Sequence, residues 1–160
     1  MANKGDTIHR SLSIPEWRRM IDEGNAPPVR IQLGGSSMSP LIRYKKDYVT
    51  IIPLEAPPVP GDIVLFADFT RDRYVMHRVW KVRKGEALTW GDNCDRTDGW
   101  IPLDKIWGKA LQVERGRKTI QMNARRGLLW SSFWHQAGRV YRFVFRIKKA
   151  VLRRMKNIVF

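Results

Sequence analysis

The sequence predicts a mainly β protein: an antiparallel, partly barrel-like sheet with a short N-terminal helix and a C-terminal amphipathic helical tail. Short alternating stretches recur from residue 29 to residue 122 with no helical pattern between them, which is typical of an antiparallel sheet. The 160 residues, 43% of them apolar, suffice for one hydrophobic core. We therefore expect a helix and linker over residues 1–28, a β domain over 29–122 and a tail over 128–160.

The N-terminal helix is predicted from its capping pattern. Ser13 stands at the N-cap position, Pro15 falls in the first turn and Glu16 completes a capping box. Apolar residues then recur at helical spacing up to Gly24, a residue typical of a helix end. Two prolines break the chain before the first strand.

Seven short stretches of the middle region are predicted to be strands, because turn residues separate them at regular spacing and apolar and polar residues alternate along 29–33 and 74–82. They are residues 29–33, 48–52, 63–67, 74–82, 87–90, 106–113 and 118–122. A polar loop over residues 91–99 contains three aspartates.

The net charge of +15 is concentrated at the C-terminal end of the chain. Residues 1–114 hold 17 basic and 15 acidic side chains, a balance of +2, whereas residues 115–160 hold 13 basic and no acidic ones. A large positive charge is typical of nucleic-acid binders. Its confinement to the tail disfavours nucleic acid as the partner of the β domain.

The cysteine content and hydropathy bear on the compartment. A single cysteine, Cys94, excludes an internal disulfide and a cysteine-rich zinc site, and it fits a reducing compartment. No apolar run approaches the roughly 18–20 residues of a membrane-spanning helix, and the first residues lack the pattern of a signal peptide. We expect a cytoplasmic protein that attaches peripherally to the inner face of the membrane.

Three segments contain residues suited to catalysis. Residues 34–40 read Gly-Gly-Ser-Ser-Met-Ser-Pro, a turn that exposes hydroxyls and backbone N–H groups. Residues 75–79 read Val-Met-His-Arg-Val and place a histidine on a predicted strand. Residues 88–98 contain Gly-Asp-Asn and two candidate carboxylates. Taken singly, each segment has an ordinary interpretation: a turn, a structural histidine and an aspartate that caps its own loop.

Together, and in this order, the three segments resemble the type I signal peptidase family, in which a Ser-Met-x-Pro turn supplies the nucleophile. The resemblance is to its endoplasmic-reticulum and archaeal branch, where a His-Arg-Val strand replaces the lysine base of the bacterial enzymes and a Gly-Asp-Asn loop follows. It spans about residues 30–113 and includes Lys-Ile-Trp-Gly-Lys-Ala at residues 105–110. It implies a serine endopeptidase, without a cofactor, that cleaves a leader or precursor peptide.

The resemblance also implies roles for particular residues. Ser37 matches the nucleophile, His77 the general base and Asp98 the acid that orients the base, and Asp92 is a second candidate for the acid. In this chemistry a neutral imidazole takes the serine proton while the carboxylate fixes the imidazole tautomer. With an unperturbed pKa near 6.5, His77 is expected to be largely neutral at pH 7.

The serine turn is also expected to form the oxyanion and substrate site, with Gly35, Ser36 and Met38 around the nucleophile. Gly35 stands where bacterial family members have a hydroxyl, so the backbone N–H of Ser37 is the expected oxyanion donor.

Two alternatives remain open for the β domain. LexA-type self-cleaving repressors share the fold and a Ser-Met turn, but they use a lysine base and carry a DNA-binding helical domain. Residues 1–28 leave room for about one helix, too little for a helix-turn-helix. The competing function class is a non-catalytic module that binds a peptide or partner on the same fold with an inactive triad.

The tail combines aromatic and basic residues at helical spacing. The candidates for a membrane-binding face are Trp130, Phe133, Trp134, Arg139, Arg142 and Arg146. Four interpretations stay open: an interfacial helix on an anionic membrane, a docking helix for an acidic partner, a nucleic-acid contact, or a helix packed on its own domain. The abundance of Trp and Phe favours the first.

Overall fold

The computed structural model describes residues 13–68, 73–122, 124–130 and 132–133, which form a mainly β fold. In chain order the elements are α1 (Ile14–Asp22), β1 (Val29–Gln32), β2 (Tyr48–Pro53), β3 (Ile63–Asp68), β4 (Arg73–Arg83), β5 (Glu86–Trp90), β6 (Gly99–Pro102), a 3-10 turn (Leu103–Lys105), β7 (Ile106–Arg115) and β8 (Lys118–Gln121). Residues 124–130 and 132–133 are helical and are called α2 below.

The helix α1 begins as its capping pattern predicts. The Ser13 side chain accepts a hydrogen bond from the Glu16 backbone N–H, and the Glu16 carboxylate accepts one from the Ser13 N–H at 2.9 Å. Trp17 is fully buried, and its indole N–H donates to the carbonyl oxygen of Pro27 at 2.7 Å. The helix is therefore fixed to the sheet by one aromatic side chain and to the following linker by one hydrogen bond.

All strand pairs are antiparallel, and the sheet order is β1-β2-β7-β3-β4-β5-β6 with β8 paired to β7. Strand β7 is central because β2 pairs along one of its edges and β3 and β8 share the other. Among the described residues β1 and β6 do not pair with each other, so the sheet is open. The predicted antiparallel, mainly β class is confirmed.

Strand β3 separates two hydrophobic clusters. Ile63 and Leu65 belong to the larger one, and Val64 and Phe66 to the smaller one. Because successive side chains of a strand point to opposite faces, the sheet is buried on both sides here. The larger cluster also contains Trp17 of α1, which shows why the helix packs on that face.

The structure adds one strand and changes one boundary. Strand β6, Gly99–Pro102, was not predicted because four residues bounded by glycine and proline show no periodic pattern. It forms by pairing with β5. Residues of the second helix are described from Ala124 onward, so the helical region reaches at least four residues before the predicted tail. Of the predicted membrane-binding residues, four lie outside the described residues: Trp134, Arg139, Arg142 and Arg146.

Candidate functional site

His77 is held on β4 by a hydrogen bond to Asp98. The ring is 5% exposed, and its Nδ1 lies 2.6 Å from Asp98 Oδ2. The hydroxyl of Thr89 donates to the same carboxylate oxygen at 2.8 Å, and the Asp98 backbone N–H donates to the Thr89 carbonyl at 2.9 Å. These contacts attach Asp98 to the end of β5, so the orientation of His77 is set by the polar loop and not by β4 alone.

The serine turn is fixed at two points. Met38 is fully buried in the larger hydrophobic cluster, which fixes the backbone directly after Ser37. On the other side, the Asn93 backbone N–H donates to the Ser37 carbonyl at 2.7 Å and its side-chain amide donates to the Ser36 carbonyl at 3.3 Å. The polar loop therefore holds the serine turn as well as the histidine.

Ser37 and His77 line one cleft of about 570 Å³. Residues 33–37 form one wall, residues 73–77 of β4 form another, and Asn93 and Cys94 contribute from the polar loop. Ser37 is half-buried. In this part of the structure no hydrogen bond joins the Ser37 hydroxyl to the His77 ring.

The second ring nitrogen of His77 faces Gly91 and Cys94. A Cβ added to Gly91 would lie 2.7 Å from Cys94 Sγ and 2.8 Å from His77 Nε2, so only glycine leaves space for both groups. The thiol therefore lies beside the nitrogen that would take a proton from a serine. Neither the turn motif nor the histidine motif predicts this contact.

The environment of His77 changes its protonation. Burial disfavours the charged ring, but hydrogen bonds to Asp98 and to Cys94, with the charge of the carboxylate, outweigh burial and raise the pKa of His77 to about 9. The edge of the ring also packs against Phe66, at 6.3 Å between ring centroids. The expectation that His77 is neutral at pH 7 is therefore wrong. The imidazolium therefore predominates until the pH approaches 9.

Asp92 binds Arg78, which is not the contact expected of the acid in a catalytic triad. Its two carboxylate oxygens accept from Arg78 Nε at 2.9 Å and Arg78 Nη2 at 2.8 Å, and both side chains are almost completely buried. The third guanidinium nitrogen donates to the Gly61 carbonyl at 2.8 Å. A bidentate pair of this kind positions backbone segments. The geometry places Asp98 on His77 and Asp92 on Arg78.

The residues predicted for substrate and oxyanion binding have different surroundings. Gly35 and Ser36 line the cleft. The Met38 side chain does not reach the cleft because it is buried in the core, so its predicted place beside the substrate is corrected. Sequence reasoning missed Thr89, Asn93 and Cys94. The position of Asn93 next to Asp92 in the Gly-Asp-Asn segment was the one available signal.

An apolar compartment of about 340 Å³ adjoins the cleft and shares Leu33, Gly34, Tyr74 and Met76 with it. Further walls come from β1, β3 and the start of α1, through Ile31, Leu65 and Ile14. A chain lying along the cleft would therefore meet the polar side chains of Ser37 and His77 and, beside them, the apolar side chains of this compartment.

The described residues contain no cluster of three or more His, Cys, Asp or Glu side chains able to hold a metal ion. Within the same residues, no helix has the length and apolar character needed to cross a membrane. The tail candidates that are described, Trp130 and Phe133, are 42% and 63% exposed and lie on α2, outside the cleft.

No protein-family model matches the chain, and no curated protein matches it.

Proposed function

We propose that this protein is a serine endopeptidase of the signal peptidase type, with Ser37 as nucleophile, His77 as base and Asp98 as the residue that orients the base. One observation supports this most strongly. His77, held by a 2.6 Å hydrogen bond to Asp98, lines the same cleft as Ser37. A histidine held by a carboxylate beside an accessible serine is the arrangement that acyl transfer needs.

The proposed reaction proceeds through an acyl-enzyme. The Ser37 hydroxyl oxygen attacks the peptide carbonyl carbon while His77 Nε2 takes its proton, and the backbone N–H of Ser37 donates to the oxyanion. The C–N bond then breaks, and His77 returns the proton to the leaving amine. A water molecule, deprotonated by the same nitrogen, hydrolyses the ester and releases the serine.

The proposed substrate is an extended peptide within a leader or precursor protein. Strand β1 is an edge of the sheet, because among the described strands it pairs only with β2, and it leads directly into the serine turn. A free strand edge offers backbone groups to a peptide in β conformation. The apolar compartment beside the cleft would accept an apolar side chain of such a peptide.

The proposal is tested with a fluorophosphonate probe and a mixed peptide library at pH 9.5, where His77 is largely neutral. We expect the probe to modify Ser37, and the cleavage of library peptides to disappear in Ser37→Ala and His77→Ala. Thr119→Ala, which removes an exposed hydroxyl from β8, is the matched control and should cleave at the wild-type rate. Undiminished cleavage by Ser37→Ala would reject Ser37 as the nucleophile.

A second candidate function is a non-catalytic module that binds peptides in the same cleft. The contact of Cys94 with His77, and the raised pKa of the ring, favour it, because they leave an imidazolium and not a base at neutral pH. This candidate predicts library peptides that are retained but intact at both pH 7 and pH 9.5. It also predicts no modification of Ser37 by the fluorophosphonate.

A further inference from the structure

Helix α2 presents a contiguous apolar surface to solvent. Leu129, Trp130 and Phe133 are 73%, 42% and 63% exposed, and the rings of Trp130 and Phe133 lie 6.5 Å apart. At 3.6 residues per turn the three side chains fall within about 100° of helix arc. We call these three residues the α2 patch. Large apolar side chains grouped on a surface in this way are typical of an interaction site.

The other side of α2 is attached to the β domain. Gly61 approaches Ala124 so closely that a Cβ on Gly61 would overlap the backbone oxygen of Ala124. Gly127 lies against the buried guanidinium of Arg78 in the same way. Trp130 borders the hollow under α2 together with Ala124 and Gly127, whereas Leu129 and Phe133 lie farther round the helix, away from that hollow. The packing of the helix therefore holds Leu129 and Phe133 facing outward, with Trp130 at the edge of the patch nearest the β domain.

The charge around the patch indicates its partner. Arg125 and Arg126 are exposed on α2, and residues 115–160 hold 13 basic and no acidic side chains. An anionic bilayer offers both an apolar layer and a negative surface, which match the patch and the cations. A nucleic acid would supply the negative charge without the apolar layer. The combination therefore favours lipid.

The cleft and the hollow under α2 lie against different parts of β4. Residues 73–77 line the cleft, and the next residue, Arg78, lines the hollow. The cleft and that hollow share no lining residue. Contact with the α2 patch therefore does not require contact with the residues that line the cleft.

We propose that the α2 patch docks this protein on an anionic lipid surface and that docking leaves the catalytic cleft open to water. The first test is sedimentation of the full chain with vesicles of phosphatidylglycerol and phosphatidylcholine at low salt. We expect binding at least about tenfold tighter than to pure phosphatidylcholine, and a similar loss in the double variant Leu129→Asp/Phe133→Asp. Phe133→Asp alone provides a milder variant.

The matched control is Val59→Asp/Leu111→Asp. It makes the same change in charge at two exposed apolar residues, 51% and 41% accessible, on the β domain. It should bind the vesicles like the wild type. Equal loss in both double variants would show that net charge alone decides binding, and absence of binding by the wild type would show that the patch does not dock on lipid. Either result overturns the proposal.

The second test uses Cys94, the only cysteine of the chain, as a reporter inside the cleft. The protein, free or bound to anionic vesicles, is treated with a charged maleimide that does not cross bilayers. We expect the rate of Cys94 modification to change by less than about threefold on binding, because thiol reactivity follows exposure. A larger decrease would place the bilayer over the cleft and overturn the proposed orientation. Neither test depends on peptidase activity.

Discussion

Asp98 determines how His77 can act. Because Asp98 accepts from Nδ1, the remaining nitrogen, Nε2, is the one directed to the cleft and to Cys94. Thr89 binds the same carboxylate oxygen and limits its rotation. A carboxylate held in this way stabilises an imidazolium whether or not catalysis occurs. The protonation of His77 is thus the property of the site that most directly separates a catalytic cleft from a binding cleft.

The first prediction concerns that protonation. We expect NMR titration of the His77 ring to give a pKa near 9, and we expect Cys94→Ala to lower it, because the thiol contact that favours the imidazolium is lost. Since a general base must be neutral, wild-type kcat/KM should rise about tenfold between pH 7 and pH 8, reach about half of its maximum near pH 9 and level off above that. In Cys94→Ala the rise should occur at lower pH. A titration midpoint of 6.5 in the wild type would contradict the assignment.

The second prediction separates the two aspartates. Asp92→Ala leaves the buried Arg78 guanidinium without its carboxylate, and we expect it to lower the free energy of unfolding by about 3–5 kcal/mol. The side chain of Asp98 is more exposed than that of Asp92, and Asp98→Asn keeps its shape, so we expect the free energy of unfolding to fall by less than about 1.5 kcal/mol. Because the amide no longer fixes the imidazole as the carboxylate does, kcat should fall at least about 100-fold.

Urea unfolding followed by tryptophan fluorescence measures the first effect, and peptide cleavage at pH 9.5 measures the second. A stable Asp92→Ala protein with greatly reduced activity would instead make Asp92 the acid that serves His77.

At the level of the elements, the strands that show alternation were predicted within one or two residues, because one buried face imposes a period of two. Two features could not be predicted in this way. The position of β6 is set by its pairing with β5, and the first turn of α2 is held by close packing of Ala124 on Gly61. The same limit applies to the site. The serine, histidine and aspartate motifs are visible along the chain, whereas Asn93 and Cys94 become part of the site only when the polar loop folds onto the serine turn.

A second polar cluster fixes the segment that follows the serine turn. Asp47 is fully buried and accepts hydrogen bonds from Arg43 and from Arg115 on β7, and Arg115 also donates to the carbonyl oxygens of Pro40 and Leu41. Burial raises the pKa of Asp47, but the hydrogen bonds from both arginines outweigh burial and lower it far below its usual range. This cluster joins the end of the serine turn to the central strand.

The third prediction follows from that lowered pKa. A carboxylate whose pKa is lower in the folded state stabilises the fold above its unfolded pKa, near 3.8, and this contribution is lost as the pH falls further. We expect Asp47→Asn to cost on the order of 2–4 kcal/mol at pH 7 and to weaken the acid dependence of stability below pH 4.

Glu114→Gln, which removes the half-exposed Arg30–Glu114 pair beside the same strand, is the control and should cost less than about 1 kcal/mol. Equal losses from the two variants, measured by urea unfolding at pH 7 and pH 3, would contradict the role given to Asp47.

At the scale of the whole molecule, Arg78 connects the two candidate surfaces. Its guanidinium binds Asp92 of the polar loop, whose neighbours hold the serine turn, and it also contacts the Gly61 carbonyl and the backbone near Gly127. The cleft and the hollow under α2 therefore lie against adjacent residues of β4. If α2 docks on lipid as proposed, the cleft would receive peptides from the aqueous side.

The last prediction tests whether α2 is held by this contact. Gly61 has a φ of +101° and lies against the backbone of Ala124, so Gly61→Ala introduces both backbone strain and an overlap that no rotamer can relieve. We expect a loss of at least about 2 kcal/mol in the free energy of unfolding and faster tryptic cleavage after Arg125 and Arg126.

Gly85→Ala separates the two effects, because Gly85 has a φ of +78° but no atom within 4 Å of an added Cβ. It should lose about 1–2 kcal/mol from backbone strain while leaving cleavage at Arg125 and Arg126 unchanged, as read by mass spectrometry of the fragments. The difference in cleavage rate between Gly61→Ala and Gly85→Ala measures how firmly α2 is attached to the β domain. If trypsin cleaves after Arg125 and Arg126 at the same rate in Gly61→Ala and Gly85→Ala, the contact with Gly61 is not what orients the α2 patch.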